Sequence, residues 1–235
     1  MTIESTNDNT PTTPAITYSD CYRLPFLSLF HADCMEIMKQ YPDKHFDLAI
    51  VDPPYGLERF KANDGGNSKK ITTFGDKDKN WNNIKPDAEY WVQLFRVSKN
   101  QIVWGGNNFE LPTSEYFIVW DKGQMMPSFA RCEMAWTNCK VPAKMYAKRS
   151  QDLERIHPTQ KPTDLYSWLL INYAKEGFKI LDTHFGSGSI ALAVDKANRL
   201  DKMNLHLTAC EIDKEYIDKA IKRISESIKQ GTLSF

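Results

Sequence analysis

Two short stretches of this 235-residue chain hold residue types that can do chemistry. The first is Asp52-Pro53-Pro54-Tyr55, which follows the apolar run DLAIV. Two prolines fix φ and remove two backbone donors, so the turn is stiff and presents acceptors only. The Asp52 carboxylate beside the Pro53 carbonyl makes a two-acceptor fork, matched to the two hydrogens of an NH2 group. Tyr55 adds a flat face on which a planar ring can stack. The plain alternative is a strand-ending turn with a surface tyrosine; the buried strand ahead of it favours a site. The second stretch is Leu181-Asp182-Thr183-His184-Phe185-Gly186-Ser187-Gly188-Ser189. Its Gly-x-Gly turn lets backbone approach a ligand closely, and the helix that follows offers free N–H groups to an anion. A lone Gly-x-Gly is weak. Here Glu211 ends the next strand, at roughly the 20-residue spacing from which an acid grips ribose hydroxyls in dinucleotide folds. A solvated loop carboxylate is the alternative for Glu211.

The elements that must position these residues are legible as short apolar runs alternating with helical patterns. Leu27–Phe30, Asp47–Val51, Gln101–Trp104, Tyr116–Trp120, Cys132–Trp136, Phe178–Leu181 and Leu205–Cys210 read as strands. Helices are expected over Cys34–Tyr41, over Thr163–Glu176, through Ile190, Val194 and Ala197, and over Lys214–Gln230. About seven strands with intervening helices imply an α/β fold: one open, mostly parallel sheet wound on both faces. Ligands of such sheets bind at the carboxyl ends of strands, where both stretches lie. Met1–Thr17 has almost nothing to bury and reads as a disordered tail, leaving one domain over 18–235. Gly56–Trp81, polar and Gly/Lys-rich, and Thr137–Gln160, short and basic, are expected to be functional loops.

Composition narrows the classes. Lys plus Arg and Asp plus Glu number 30 each, so any nucleic-acid contact must come from local basic patches. No run approaches the ~20 apolar residues of a membrane span, and no apolar signal core opens the chain. Five scattered cysteines without a C-x-x-C pair fit reduced thiols, hence a cytoplasmic protein. No cluster of His, Cys or acids has metal spacing, so no metal is expected.

Together these residues resemble the S-adenosyl-L-methionine-dependent amino-methyltransferases that act on DNA. The family's catalytic (Asp/Asn/Ser)-Pro-Pro-Tyr is similar to Asp52–Tyr55, and its cofactor loop Asp-Pro-Phe-x-Gly-Ser-Gly-Thr to Asp182–Ser189. His157-Pro-Thr-Gln-Lys-Pro162 resembles the segment that helps hold the methionine part of the cofactor. The catalytic motif precedes the cofactor loop, which resembles the family's β group, a circularly permuted arrangement with target recognition between the two motifs. The resemblance implies catalysis by Asp52, Pro53, Pro54 and Tyr55. It implies a cofactor site of Asp182, Thr183, His184, Phe185, Gly186, Ser187, Gly188 and Ser189, with Glu211 on the ribose and His157 nearby. Asp33 reads as a contact to the cofactor adenine or, with Glu36, as a helix capping box. Lys161 reads as a ligand for the cofactor carboxylate or as a solvated lysine, the resemblance favouring the ligand. Lys140, Lys144, Lys148 and Arg149 are expected on DNA phosphates. Some members of the β group are dimers, so a homodimer is expected by analogy alone.

Two departures stand out. Thr183 and His184 replace the usual Pro and Phe, and a protonated His184 would set charge beside a sulfonium cation, making cofactor affinity pH-sensitive. The recognition stretch is also unusually short. The expected reaction moves a methyl group to the N6 amine of a flipped adenine in double-stranded DNA. An N4-cytosine target uses the same chemistry, but those enzymes usually have Ser at the position of Asp52. A catalytically silent DNA-binding homologue would not need an intact Asp52–Tyr55. A nicotinamide enzyme is disfavoured because Ala191 stands where G-x-G-x-x-G needs its third glycine.

Overall fold

The computed structural model describes residues 21–56, 85–123, 130–148, 156–157 and 159–232. Met1–Thr17, and Gly56–Trp81 apart from Gly56, lie outside them. The strands are β1 Cys21–Leu24, β2 Leu27–His31, β3 Phe46–Val51, β4 Ser98–Trp104, β5 Phe117–Asp121, β6 Cys132–Thr137, β7 Lys144–Ala147, β8 Lys179–Asp182 and β9 His206–Glu211. The helices are α1 Cys34–Lys39, α2 Ala88–Val97, α3 Thr163–Tyr173, α4 Ser189–Asp201 and α5 Lys214–Thr232. Among the described residues no helix is long and apolar enough to cross a membrane.

All nine strands form one sheet in the order β1-β2-β9-β8-β3-β4-β6-β5-β7. The central run β2-β9-β8-β3-β4 is parallel throughout. Such a run is buried on both faces, which is why β3 (FDLAIV) and β4 end in unbroken apolar residues. Leu165 and Leu169 of α3, Ile190 and Val194 of α4 and Ile217 of α5 cover one face. Ile37 and Met38 of α1 and Tyr90 and Leu94 of α2 cover the other. The doubly wound, mostly parallel α/β class is as expected; the described residues hold nine strands where about seven were expected.

The two additional strands are β1 and β7, both four residues long, at the sheet's two edges and without a fully buried residue, so neither has a buried strand's signature. β7 lies inside Thr137–Gln160 and pairs with β5, so part of the expected recognition loop is sheet instead. Helix α2 is also absent from the sequence reading. Its Tyr90, Leu94 and Val97 face inward at helical spacing, and Asp87 caps it by accepting from the Tyr90 N–H at 2.9 Å.

Parallel pairing puts the carboxyl ends of β3, β8 and β9 on one edge, and with them Asp52, Asp182 and Glu211. Because β6 runs antiparallel to β4, and β5 to β6, the start of β6 and the end of β5 arrive at that same edge.

Candidate active site

Asp52 leaves β3 with both carboxylate oxygens engaged. The Tyr55 hydroxyl donates to Oδ1 at 2.6 Å, and the Lys161 ammonium donates to Oδ2. Burial first, then the Asp52 charge, push the Tyr55 phenol far above its ordinary value, so it stays a donor. Gly105, just after β4, has φ +65°, and a Cβ there would lie 2.3 Å from the Tyr55 ring. Glycine therefore meets two demands at once, a left-handed backbone and room for an aromatic face. The segment before α3 brings in Lys161, whose side chain is 3% exposed. Its Nζ lies 3.3 Å from Glu133 Oε2 of β6, 3.5 Å from the Tyr55 hydroxyl and 5.2 Å above the Trp104 ring. Burial alone would lower the ammonium, but Asp52 and then Glu133 outweigh it and hold Lys161 well above the ordinary lysine value. Glu133, flanked by Lys161 and Lys122, is held below the carboxylate range despite its burial.

A few ångströms along the edge, β8 delivers Asp182 into the turn that starts α4. Burial raises its carboxyl to about 7, with the charges of Asp52 and Glu211 adding, against the His184 N–H that donates to Oδ1 at 3.0 Å. Thr183 and His184 are joined, Oγ1 to Nδ1 at 2.9 Å, and the Tyr90 hydroxyl of α2 lies 2.7 Å from Thr183 Oγ1. Burial lowers His184 to about 4, opposed by Asp52 and Asp33. The ring is therefore neutral at neutral pH, and its protonated form belongs to acid conditions. Gly188 has φ +71°, with Phe185 Cζ and Ala220 Cβ within 3.1 and 3.3 Å of a built Cβ, so α4 meets α5 without a side chain between. Arg223 of α5 fastens the turn by donating to Ser187 O and Ser189 Oγ at 3.0 and 2.9 Å.

Glu211 ends β9 and accepts from the Gly186 and Asp213 N–H groups at 2.9 and 3.0 Å. Burial raises its carboxyl, with these bonds opposing. Asp33 caps α1 by accepting from the Met35 N–H at 2.8 Å, as a capping residue does. The His157 ring stacks edge-on to Tyr216 at 4.4 Å and faces Gly186. Asp33, Asp52, His157, Lys161, Gly186 and Glu211 all line one cavity of about 730 Å³.

Lys161 is not the solvated lysine of the alternative reading: it is buried, and its ammonium is engaged by Asp52 and Glu133. Of the basic residues, Lys140 is exposed, Lys144 is half-buried on β7, and Lys148 is ion-paired with Asp164 of α3. Arg149 lies outside the described residues. Glu133 and Lys122 belong to no motif. The signal for Glu133 was an acid inside an otherwise apolar strand (CEMAWT), a costly placement unless a cation meets it.

The family model N6_N4_Mtase, described as DNA methylase, matches residues 91–222. The Type II methyltransferase M2.LlaDCHI of Lactococcus lactis subsp. cremoris is 24% identical over 256 residues, covering 86% of this chain and 91% of that protein. The Type II methyltransferase M.HinfI of Haemophilus influenzae is also 24% identical, covering 85% and 68%. Among solved structures, an M1.HpyAVI–SAM complex matches with TM-score 0.52 and 20% identity over 84% of this chain and 98% of its own. PvuII DNA methyltransferase (cytosine-N4-specific) matches with TM-score 0.53 and 11% identity over 87% and 92%. These structural likenesses concern the fold. Because the family match takes in more than half of the chain, from α2 through the Gly186–Gly188 turn to α5, this protein belongs to the DNA methylase family.

Proposed function

We propose that this chain transfers a methyl group from S-adenosyl-L-methionine to the exocyclic N6 amine of an adenine extruded from double-stranded DNA. The observation behind this reading is that Asp52 and Pro54 line one cavity with Gly186 and Glu211. The residues suit that cofactor. Glu211 is an acceptor for ribose hydroxyls, Asp33 for an adenine amine, and the exposed Ile212 beside them is an apolar surface for a ring. The neutral His184 sets no charge against a sulfonium. When bound, the cofactor supplies an electrophilic methyl group.

The chain's own part is orientation. An adenine amine is a poor nucleophile because its lone pair is delocalised into the ring. Asp52 and the Pro53 carbonyl, accepting its two hydrogens, steer the nitrogen toward tetrahedral geometry with the lone pair free. Alignment of this kind is worth roughly 7–11 kcal/mol in favourable systems. On transfer of that methyl group, Asp52 would take the proton that the nitrogen sheds and pass it to water. The base must leave the duplex to reach this site. Stacking on Tyr55 returns about 1–3 kcal/mol of the unstacking cost. Lys140 and Lys144 are the described lysines of the basic stretch without an ion pair to Asp164, and phosphate contact is proposed for them.

Incubation with methyl-labelled S-adenosylmethionine and duplex DNA, followed by digestion to nucleosides, tests the reading. Label in N6-methyldeoxyadenosine is expected. Label in cytosine selects the second reading, which the match to a cytosine-N4-specific fold keeps in view. Label only in protein or RNA overturns both.

A further inference from the structure

Glu133 is the second carboxylate on Lys161, and the sheet explains how it gets there. It pairs in register with Trp120 of β5, and directly opposed residues share a face. Its Oε1 takes the Lys122 ammonium while its Oε2 faces Lys161. Lys122 Nζ lies 5.3 Å from the Trp120 ring, as Lys161 lies over Trp104, and the two indoles meet edge to face at 6.4 Å. Four charges thus alternate in sign, Asp52, Lys161, Glu133 and Lys122, on a floor of two tryptophans. Lys161 is faced by Asp52 and Tyr55 from the end of β3, by Glu133 from β6 and by Tyr166 from α3. Asp182 of β8 and the Lys161 charge act on one another through space.

The two bonds on Asp52 differ in kind. Both are bonds to an anion, but Tyr55 gives a neutral hydroxyl, whereas Lys161 sets a full opposite charge against the carboxylate and makes an ion pair with it. Lys161 is also the better anchored, buried between two carboxylates and an indole face, and a buried charge stripped of its partners is costly. Oδ1 is therefore the oxygen an incoming donor can take over, while Oδ2 stays held.

We propose that Glu133 is a positioning residue for methyl transfer: it anchors the Lys161 ammonium, which pins Oδ2 of Asp52 and leaves Oδ1 to exchange the Tyr55 hydroxyl for the target amine. This rests on the methyl-transfer reading above. Without Glu133, Lys161 follows Asp52 instead of fixing it, and the acceptor loses its orientation while the cofactor pocket is untouched.

The test uses the full chain, S-adenosylmethionine and duplex DNA. Glu133→Gln, nearly isosteric, is expected to lower kcat roughly ten- to a hundredfold, the size of effect that a misplaced reacting group produces. KM for DNA and the calorimetric Kd for S-adenosylmethionine should stay within about twofold, and Glu133→Asp should recover part of kcat. In Lys161→Met, Asp52 loses its cation and faces Glu133, which keeps only Lys122, as a like charge. The acid limb of the pH–kcat profile should then move upward by about one unit or more. Wild-type kcat in Glu133→Gln, a loss matched by weaker cofactor binding or a lowered Tm, or an unmoved acid limb in Lys161→Met overturns the inference alone. A wild-type chain that methylates no DNA removes the functional reading, and this inference with it.

Discussion

At the β3 end of the cavity, Asp52, Lys161 and Glu133 are paired in contact; at the β8–β9 end, Asp182 and His184 are moved toward their neutral forms. Burial acts at both ends, and the outcome is decided by whether a counter-charge arrives. Lys161 reaches the first end, where Asp52 and Glu133 raise it despite its burial, and together with Lys122 it holds the Glu133 carboxyl low. The second receives backbone N–H groups and hydroxyls, which bind without setting a full charge beside a cationic ligand. One edge of a single sheet therefore carries an ion-paired cluster and, next to it, groups moved toward their neutral forms.

Asp52→Ala attacks the charged end and should have the largest effect. Loss of a preorganised hydrogen-bonding group at a reacting atom costs on the order of 10²–10³-fold in kcat or more. Calorimetry should find the Kd for S-adenosylmethionine within about twofold of wild type; a large loss of binding would mean that the two ends are not separable. Gly105→Ala is a milder blow to the same end. The left-handed backbone costs about 1–2 kcal/mol, lowering Tm by about 2–8 °C, and the new Cβ pushes the Tyr55 ring aside. A roughly tenfold fall in kcat with intact cofactor binding is expected; unchanged turnover would show that the Tyr55 pose is immaterial.

His184→Phe sharpens the neutral end and should move activity least. His184 titrates near 4 when folded against about 6.5 when unfolded, so its contribution is present above pH 6.5 and is lost as pH falls through 4. Asp182 is raised to about 7, so its contribution is present below about pH 4 and is lost as pH rises through 7. Between about pH 4 and 6.5 the two slopes oppose, each at most ~1.4 kcal/mol per unit. Removing the histidine leaves the Asp182 slope alone, so denaturation midpoints should fall from pH 4.5 to 6.5 in the variant more steeply than in wild type. Parallel curves would refute the compensation.

The parts of this site legible in the sequence are those written as contiguous runs at strand ends: Asp52–Tyr55, Asp182–Ser189 and Glu211. Local chemistry explains them, since a stiff acceptor turn and a glycine turn announce themselves within a few residues. The partner of Lys161 was hidden because Glu133 reaches it only through the register of β6 against β4 and β5, which no local pattern in CEMAWT encodes. The apolar runs disclosed the buried strands. β1 and β7 stayed hidden because edge strands need not be apolar, and β7 is why lysines read as one loop divide between an exposed turn and a strand. Helix α2 carries helical spacing in Tyr90, Leu94 and Val97, but the polar stretches on either side give it little contrast.

The ammonium of Lys161 above Trp104 has an optical consequence. An indole's emission energy responds to the electric field across its ring, and this ring lies beneath a cation held by the acceptor Asp52. Any event that redistributes that cation between its two carboxylates shifts the field at Trp104, so intrinsic fluorescence can follow, without a label, occupation of the fork proposed to bind the amine.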